Sequence, residues 1–226
     1  MKNVINSYAE ERNIREINLH LGCGGENIAG WINIDNYDYE SGDSSRSNAS
    51  YDLKMDIRAL DAASDSVDRI LLVHVLEHFV RWEALELLAQ FHRLLKPKGL
   101  LLMEHPDLDG CIKMYLEGQT TIDTPLGKLN KGFTQFYGNQ WDRLDYETHR
   151  YVWTKKEMSQ ELIKAGFEVL VLDNRTRFHV PGRDMRVVAR KLSIPAIEPH
   201  IEKTPARVQE ISDRAHGEGR GGGGGG

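Results

Sequence analysis

The stretch Leu19-His20-Leu21-Gly22-Cys23-Gly24-Gly25 contains a short apolar run that leads directly into a glycine-rich turn. A chain without Cβ atoms can bend tightly and bring its backbone amides close to a ligand, which is why such turns use glycine. A strand that ends in this turn therefore predicts a ligand site at the edge of a sheet. Taken alone, the pattern is equally typical of an ordinary tight turn.

Asp35, at the end of the next predicted strand, makes this turn a candidate nucleoside site. An acid at the tip of the second strand lies beside the first turn and can accept hydrogen bonds from both ribose hydroxyls. In the dinucleotide fingerprint the acid follows about 20 residues after the glycines, whereas Gly22 and Asp35 are 13 positions apart. Residues 26–30 are too short for more than about one helical turn. The spacing therefore favours a nucleoside without a diphosphate.

The remaining apolar runs predict an α/β fold with a mostly parallel sheet. Residues 67–73 and 99–104 are apolar enough to be buried on both faces, as central parallel strands are. The other predicted strands are residues 17–21, 31–34, 51–57, 167–172 and 185–189. Pro181-Gly182 separates the last two, which we expect to form an antiparallel pair at one edge.

Two amphipathic stretches predict helices. In the first, one face recurs at three- and four-residue steps before a Lys-Pro-Lys-Gly sequence: Trp82, Leu85, Leu88, Ala89, His92 and Leu95. The second begins at the capping-box pair Thr154 and Glu157 and ends at Gly166. Its predicted apolar face consists of Met158, Leu162 and Ile163.

Residues 105–152 form a long stretch without clear periodicity, rich in aromatic, glycine and polar residues. A segment of this length within a compact domain is usually functional, so we predict a substrate-side cap. Its aromatic residues could stack on an acceptor or form the small core of the cap. The candidates are Phe133, Phe136, Tyr137, Trp141, Tyr146 and Tyr151, together with Trp153 directly after the stretch.

The composition excludes several classes of function. With 226 residues, 40% of them hydrophobic and 28% charged, the chain predicts one globular domain over residues 1–200 and a disordered glycine-rich tail over 206–226. The net charge of -5 and the absence of a dense basic run disfavour a nucleic-acid partner.

No apolar run approaches the roughly 20 residues of a membrane span. No signal-peptide pattern opens the chain, and its only cysteines are Cys23 and Cys111, which suggests a reducing cytoplasm.

Three ordered motifs together resemble the class I S-adenosylmethionine-dependent methyltransferases: residues 19–24, residues 31–35 and His74-Val75-Leu76-Glu77-His78. The resemblance covers about residues 15–190, including the Leu94 to Leu100 approach to the fifth strand. It is closest to small bacterial enzymes associated with surface-polysaccharide genes, in which Gly-Trp-x-Asn-Ile-Asp leads into the second strand. It implies a Rossmann-like, seven-stranded, mostly parallel sheet with helices on both faces and S-adenosylmethionine as cofactor.

The resemblance also implies roles for the residues around the glycine turn. Gly22 and Gly24 would bring backbone close to the methionyl part of the cofactor, and Asp35 would bind the ribose. Asp56, with Ile57 beside it, matches the position after the third strand where an acid or its neighbouring amide meets the adenine.

Further roles follow for His74 to Glu77, which would line the cofactor on the side that faces the substrate. His78 could equally begin a helix. His20 stands where many family members carry an acid near the methionine amino group. It could instead hydrogen-bond the carboxylate, or only pack.

The sequence does not single out the residues that promote methyl transfer. A sulfonium donor is reactive, and positioning of the two reactants alone supplies much of the rate acceleration. A hydroxyl acceptor needs a base, and His149 and then His105 are the candidates, although either could be structural. Asp107 and Asp109 could bind a divalent ion, but a solvated turn is the simpler interpretation, and we predict no metal.

The predicted function is methyl transfer to a small-molecule or saccharide acceptor, with oxygen as the expected methylated atom. One alternative is an NAD(P)-dependent oxidoreductase or epimerase, which the short interval from Gly22 to Asp35 disfavours. Another is a non-catalytic methyltransferase-like partner subunit, which His20 keeps open. The oligomeric state, the acceptor and the methylated atom do not follow from the sequence.

Overall fold

The computed structural model describes residues 3–36, 50–119, 121–124, 127–130, 134–138, 145–178 and 180–193, with backbone only for 121–124 and 127–130. The predicted tail over 206–226 lies outside these ranges. Of the helices within them, none combines the length and apolar character that crossing a bilayer requires. Cys23 and Cys111 are both free and buried.

A seven-stranded sheet organises the fold, in the order β3-β2-β1-β4-β5-β9-β8. Its strands are β1 (Asn18–Leu21), β2 (Ile32–Asp35), β3 (Leu53–Lys54), β4 (Val67–Val73), β5 (Leu95–Pro106), β8 (Phe167–Asp173) and β9 (Asp184–Lys191). The pairs from β3 through to β5 are parallel, while β9 is antiparallel to both β5 and β8. The predicted Rossmann-like sheet and its antiparallel edge pair are confirmed.

Five helices accompany the sheet in the described ranges: α1 (Val4–Glu11), α2 (Arg81–Leu94), α3 (Leu108–Leu116), α4 (Thr134–Tyr137) and α5 (Lys155–Lys164). Single 3₁₀ turns span Ile57–Ala59, Leu76–His78 and Asp145–Glu147. The stretch predicted as a cap has regular structure of its own, because α3, α4 and a small hairpin of β6 (Thr121–Thr124) and β7 (Gly127–Asn130) fall within it. The strand β5 runs through Pro106, so the sheet extends into the beginning of that stretch.

The core lies along the central strands, as their apolar runs predicted. Ile70 and Leu72 of β4 are 0% and 1% exposed, and Leu101 and Met103 of β5 are 0% and 1% exposed. Burial of such side chains is the main favourable contribution to folding.

The buried face of α2 agrees only in part with the predicted one, whose members Leu88, His92 and Leu95 are at most 7% exposed. Trp82 is 63% exposed, whereas Ala84, Leu87, Leu88 and Phe91 are at most 2% exposed. Both sets recur at helical spacing in the sequence, so periodicity alone could not choose between them. Packing on the sheet buries Phe91 and leaves Trp82 exposed.

The capping box of α5 is confirmed, since Thr154 Oγ1 accepts a hydrogen bond from the Glu157 amide at 3.1 Å. Its predicted face is partly wrong, because Ile163 is 61% exposed. The helix is followed by Gly166 with φ of +90°, and a Cβ there would lie 2.7 Å from His92 Nε2. Glycine is therefore required at this position both by conformation and by space.

We expect Leu88→Ala and Trp82→Ala to differ sharply in stability. Truncation of the fully buried Leu88 removes apolar contacts and leaves a cavity, which costs about 2–5 kcal/mol of the free energy of unfolding. Truncation of exposed Trp82 changes it by about 0.5 kcal/mol or less. Urea denaturation of both variants measures the difference, and equal losses would contradict the face that the structure assigns to α2.

Candidate active site

A cavity of about 1170 Å³ lies at the carboxyl ends of β1, β2 and β4. Ligand sites of open α/β sheets occur at this edge. One part of the wall follows the three strands, with Gly22, Asp35 and His74. Another part comes from the stretch predicted as a cap, with Gln135 and His149 among its residues.

The glycine turn after β1 is shaped by backbone contacts. Gly22 has φ of +63°, and a Cβ there would lie 2.6 Å from Val75 Cγ2. Gly24 has φ of +58°, and its amide donates to Asp35 Oδ2 at 2.7 Å. The turn and the acid of the predicted nucleoside site are thus joined directly, and both line the cavity.

His20 lies under this turn as a neutral side chain. It is 4% exposed, and its Nδ1 lies 3.1 Å from Asn33 Oδ1. Burial lowers the pKa of His20, although the hydrogen bond to Asn33 opposes that change. Because an amide oxygen only accepts, Nδ1 carries the proton. His20 therefore brings no negative charge to the place where many family members carry an acid near the methionine amino group.

Asp56, the predicted adenine contact after β3, forms an ion pair with Arg58 that the sequence analysis did not identify. Asp56 accepts hydrogen bonds from Arg58, at 2.6 Å from Nη2 and 2.9 Å from the backbone amide. The Arg58 guanidinium lowers the pKa of Asp56. Asp56, Ile57 and Arg58 all line the cavity. This position is compatible with contact to the adenine, and the role of Asp56 and Ile57 there stays a prediction.

His74, at the end of β4, joins two buried carboxylates. Its Nδ1 lies 2.9 Å from Glu77 Oε1 and its Nε2 lies 3.0 Å from Asp184 Oδ2. Burial opposes its charge, but the hydrogen bonds to Asp184 and Glu77 outweigh this and raise the pKa of His74 to about 9. Its φ of +53° costs a non-glycine residue about 1–2 kcal/mol, which these two charge-assisted hydrogen bonds offset.

Glu77 is placed differently from the prediction. It is 0% exposed and lies behind the cavity wall rather than in it. Burial acts against its charge, yet the hydrogen bond and the charge of His74 lower its pKa to about 2. Direct contact between Glu77 and a cofactor is therefore not favoured.

His78 and His149 lie together in the cavity wall. His78 Nδ1 is 3.1 Å from the Thr148 carbonyl oxygen, and His149 Nδ1 is 3.3 Å from that of Gln135. The rings meet edge to face, with centroids 5.1 Å apart. Burial lowers the pKa of His149 to about 4. His149 is therefore neutral, as a proton acceptor must be, but weakly basic, and its role as base stays a prediction.

His105 is less favourably placed for the base role. It is 1% exposed, its Nδ1 lies 3.1 Å from the Pro106 carbonyl oxygen, and burial lowers its pKa. It does not line the cavity. An acceptor in the cavity would not reach it, because β5 continues through this position into the interior.

The solvated turn predicted around Asp107 is wrong. Asp107 is 0% exposed, and its Oδ2 is bonded to Lys155 and, at 3.0 Å, to Asn174 Nδ2. A carboxylate engaged in this way joins α5 and β8 to the end of β5. It is not an exposed ion ligand.

The predicted aromatic surface is mostly elsewhere. Tyr146 lines the cavity, but Trp153 is 0% exposed and packs edge to face on Tyr151 at 4.7 Å. Phe133 and Trp141 lie outside the described residues. Tyr137 is 59% exposed and Phe136 does not line the cavity.

Arg183 is a cavity residue that no sequence signal indicated. It precedes β9, more than 100 positions along the chain from His74. Its Nη2 donates to Asp184 Oδ2 at 2.7 Å. Only the antiparallel pairing of β9 with β5 brings it to this edge.

Solved structures with the same fold come from several organisms. One is a Burkholderia thailandensis 1,6-didemethyltoxoflavin-N1-methyltransferase with bound 1,6-didemethyltoxoflavin and S-adenosylhomocysteine (15% identity, TM-score 0.52, 83% of this chain and 76% of that chain). Another is an S-adenosylmethionine-dependent methyltransferase from Listeria monocytogenes (15% identity, TM-score 0.51, 82% of this chain and 98% of that chain). A third is a chain of the complex between the Haloferax volcanii Trm112 methyltransferase activator and a methyltransferase (12% identity, TM-score 0.52, 85% of this chain and 99% of that chain). At these identities the similarity concerns the fold.

The sequence itself supplies the assignment to a family. No curated protein matches the chain. Residues 3–172, more than half of its 226 residues, match the family described as "Methyltransferase domain". The chain therefore belongs to the methyltransferase domain family, which confirms the S-adenosylmethionine-dependent enzyme class that its motifs predicted.

Proposed function

We propose that the protein transfers a methyl group from S-adenosylmethionine to a hydroxyl oxygen of a small-molecule or saccharide acceptor. The observation that carries the proposal is the cavity, in which the glycine turn and Asp35 share a wall with His78 and His149. When bound, the cofactor supplies an electrophilic methyl group on a sulfonium. Both cysteines are free, which suits a reducing compartment, so we place the reaction in the cytoplasm.

The residues of the strand edge fit a nucleoside cofactor. A Cβ at Gly22 would meet Val75 at 2.6 Å, so the turn keeps its close backbone approach only with glycine. The Gly24 amide holds Asp35 Oδ2 at 2.7 Å and so orients the carboxylate. Each carboxylate oxygen can accept more than one hydrogen bond. A carboxylate at this position can accept hydrogen bonds from ribose hydroxyls.

The wall on the other side suits a polar acceptor. Gln135, Glu147 and Arg183 contribute hydrogen-bonding groups, and Tyr146 contributes an aromatic ring. The volume of about 1170 Å³ exceeds the roughly 300–1,000 Å³ of ordinary ligand pockets. The cavity thus has room for a cofactor and a small acceptor side by side.

A hydroxyl acceptor has to lose its proton as the new oxygen–carbon bond forms and the carbon–sulfur bond breaks, with the electron pair of the broken bond left on sulfur. The wall provides lone pairs near such an oxygen. A backbone carbonyl can only accept, so Nδ1 of both His78 and His149 carries a proton. In the neutral ring of His149, Nε2 carries the lone pair. These imidazoles favour transfer to oxygen.

The saccharide acceptor is supported by the resemblance to the small bacterial branch and by the polar wall. The Gly-Trp-x-Asn-Ile-Asp sequence of residues 30–35 carries that resemblance. A sugar presents several hydroxyls, which match a wall with both donors and acceptors.

Calorimetric titration of the purified protein tests the cofactor. We expect S-adenosylhomocysteine to bind with micromolar affinity and NAD not to bind. Asp35→Asn should weaken the binding about 10- to 100-fold, because hydrogen bonds to a charged group contribute about 1.5–3 kcal/mol. Asp173→Asn, the same change at the end of β8 and away from the cavity, should bind as the wild type does. Binding of NAD alone, or unchanged affinity in Asp35→Asn, would contradict the proposed cofactor site.

The acceptor class is tested by release of S-adenosylhomocysteine with matched acceptor pairs, each a sugar or phenol and its amino analogue. We expect turnover with the hydroxyl compounds, because the neutral imidazole of His149 can take a hydroxyl proton. Turnover with the amino compounds alone would show that transfer goes to nitrogen instead.

A further inference from the structure

We propose that Glu77, His78 and His149 form a site for one divalent transition-metal ion at the acceptor side of the cavity. Each of these side chains offers one ligand atom, and the three atoms lie within 4.8 Å of one another. Two of the residues, His78 and His149, also line the cavity. A bound ion would therefore be reachable from it.

The two histidines are oriented as metal ligands are. Nδ1 of His78 donates to the Thr148 carbonyl, and Nδ1 of His149 donates to the Gln135 carbonyl. Metal-bound histidines commonly donate their second ring N–H to a backbone carbonyl or a carboxylate, which sets the tautomer and the ring orientation. The lone pair on each Nε2 is thereby left for an ion.

Glu77 provides an independent observation that points to a ligand. Its side chain is 0% exposed, and its Oε2 has no hydrogen-bond partner among the described residues. A buried carboxylate oxygen without a partner is costly. An ion held between Oε2 and the imidazoles would satisfy it.

Surrounding contacts hold the three ligands together. The Glu77 carbonyl oxygen accepts the amides of Arg150 at 2.7 Å and Tyr151 at 3.2 Å, which ties the segment of His149 to the segment of Glu77 and His78. His74 holds Glu77 Oε1 at 2.9 Å. Ligating carboxylates are typically fixed by such an outer hydrogen bond.

The ligand set indicates the kind of ion. Two imidazole nitrogens and one carboxylate oxygen suit Zn²⁺, Mn²⁺, Fe²⁺ or Co²⁺, whereas Mg²⁺ and Ca²⁺ prefer oxygen alone. Ligand atoms at about 2.1 Å from a tetrahedral ion are about 3.4 Å apart, so side-chain rotation has to close the triad by up to about 1.4 Å from the observed limit of 4.8 Å. Three protein ligands leave a coordination position for water or substrate, as in catalytic sites.

The role of the ion rests on the proposed function. An acceptor hydroxyl at the open position would lose its proton to solvent more readily, because a divalent ion lowers the pKa of a bound hydroxyl or water. The resulting oxygen would form the bond to the methyl carbon as the carbon–sulfur bond breaks. With the ion bound, His78 and His149 act as its ligands and the proton goes to solvent, whereas in the metal-free protein His149 stays the proposed proton acceptor.

The test uses full-length protein without a polyhistidine tag, freed of metal by a chelator. Titration with Co²⁺, followed by calorimetry and by the visible absorption of the ion, should show one equivalent bound with nitrogen ligation. His78→Gln and His149→Gln should each lower the affinity about 100-fold or more. His92→Gln, a histidine outside the cavity on α2, should bind Co²⁺ as the wild type does.

Binding of S-adenosylhomocysteine is measured in parallel for each protein. If the wild type binds S-adenosylhomocysteine but not one equivalent of Co²⁺, the metal site is overturned and the proposed function stands. If it binds Co²⁺ but not S-adenosylhomocysteine, the proposed function fails and the metal site stands. Unchanged Co²⁺ affinity in both glutamine variants also overturns the site, and the wild-type titration decides alone where a variant does not fold.

Discussion

The candidate active site depends on a buried charge that has to be paired. Glu77 is fully buried, and an isolated carboxylate in such a position would take up a proton rather than stay charged. His74 keeps it ionised and is itself held by Asp184 from β9. Removal of one partner from a buried pair of this kind is strongly destabilising. The end of β4, the start of β9 and the segment that carries His149 are therefore arranged around one electrostatic requirement.

The glycine turn meets a different constraint at the same edge. The Val75 side chain packs directly against the backbone of Gly22, which leaves no space for a Cβ atom there. The Gly24 amide donates a hydrogen bond to Asp35. Val75 lies between His74 and Glu77 in sequence, so the segment that closes against the turn also carries the buried charges. One short segment after β4 therefore both packs against the glycine turn and holds the buried charges.

Sequence reasoning predicted where the strands and helices lie better than it predicted which of their residues are buried. β4 and β5 were predictable because parallel central strands need apolar residues on both sides. The face of α2 was not, since Trp82 and Phe91 belong to two sets with equal helical spacing. Likewise His105 and Asp107 looked exposed because they follow an apolar run, but β5 continues through His105 and buries both.

The sequence by itself determined the order of the seven strands of the main sheet, the helices α2 and α5, the glycine turn with Asp35, and membership of the methyltransferase domain family. These depend on local periodicity, on backbone conformation and on motifs that lie close together in the chain. Only the tertiary structure decided that His149 lies against His78, that Arg183 reaches the cavity and that Glu77 is buried behind it. The physical reason is that these contacts join residues some 70 to 110 positions apart. Their energies arise from burial and charge pairing, which have no local signature in the sequence.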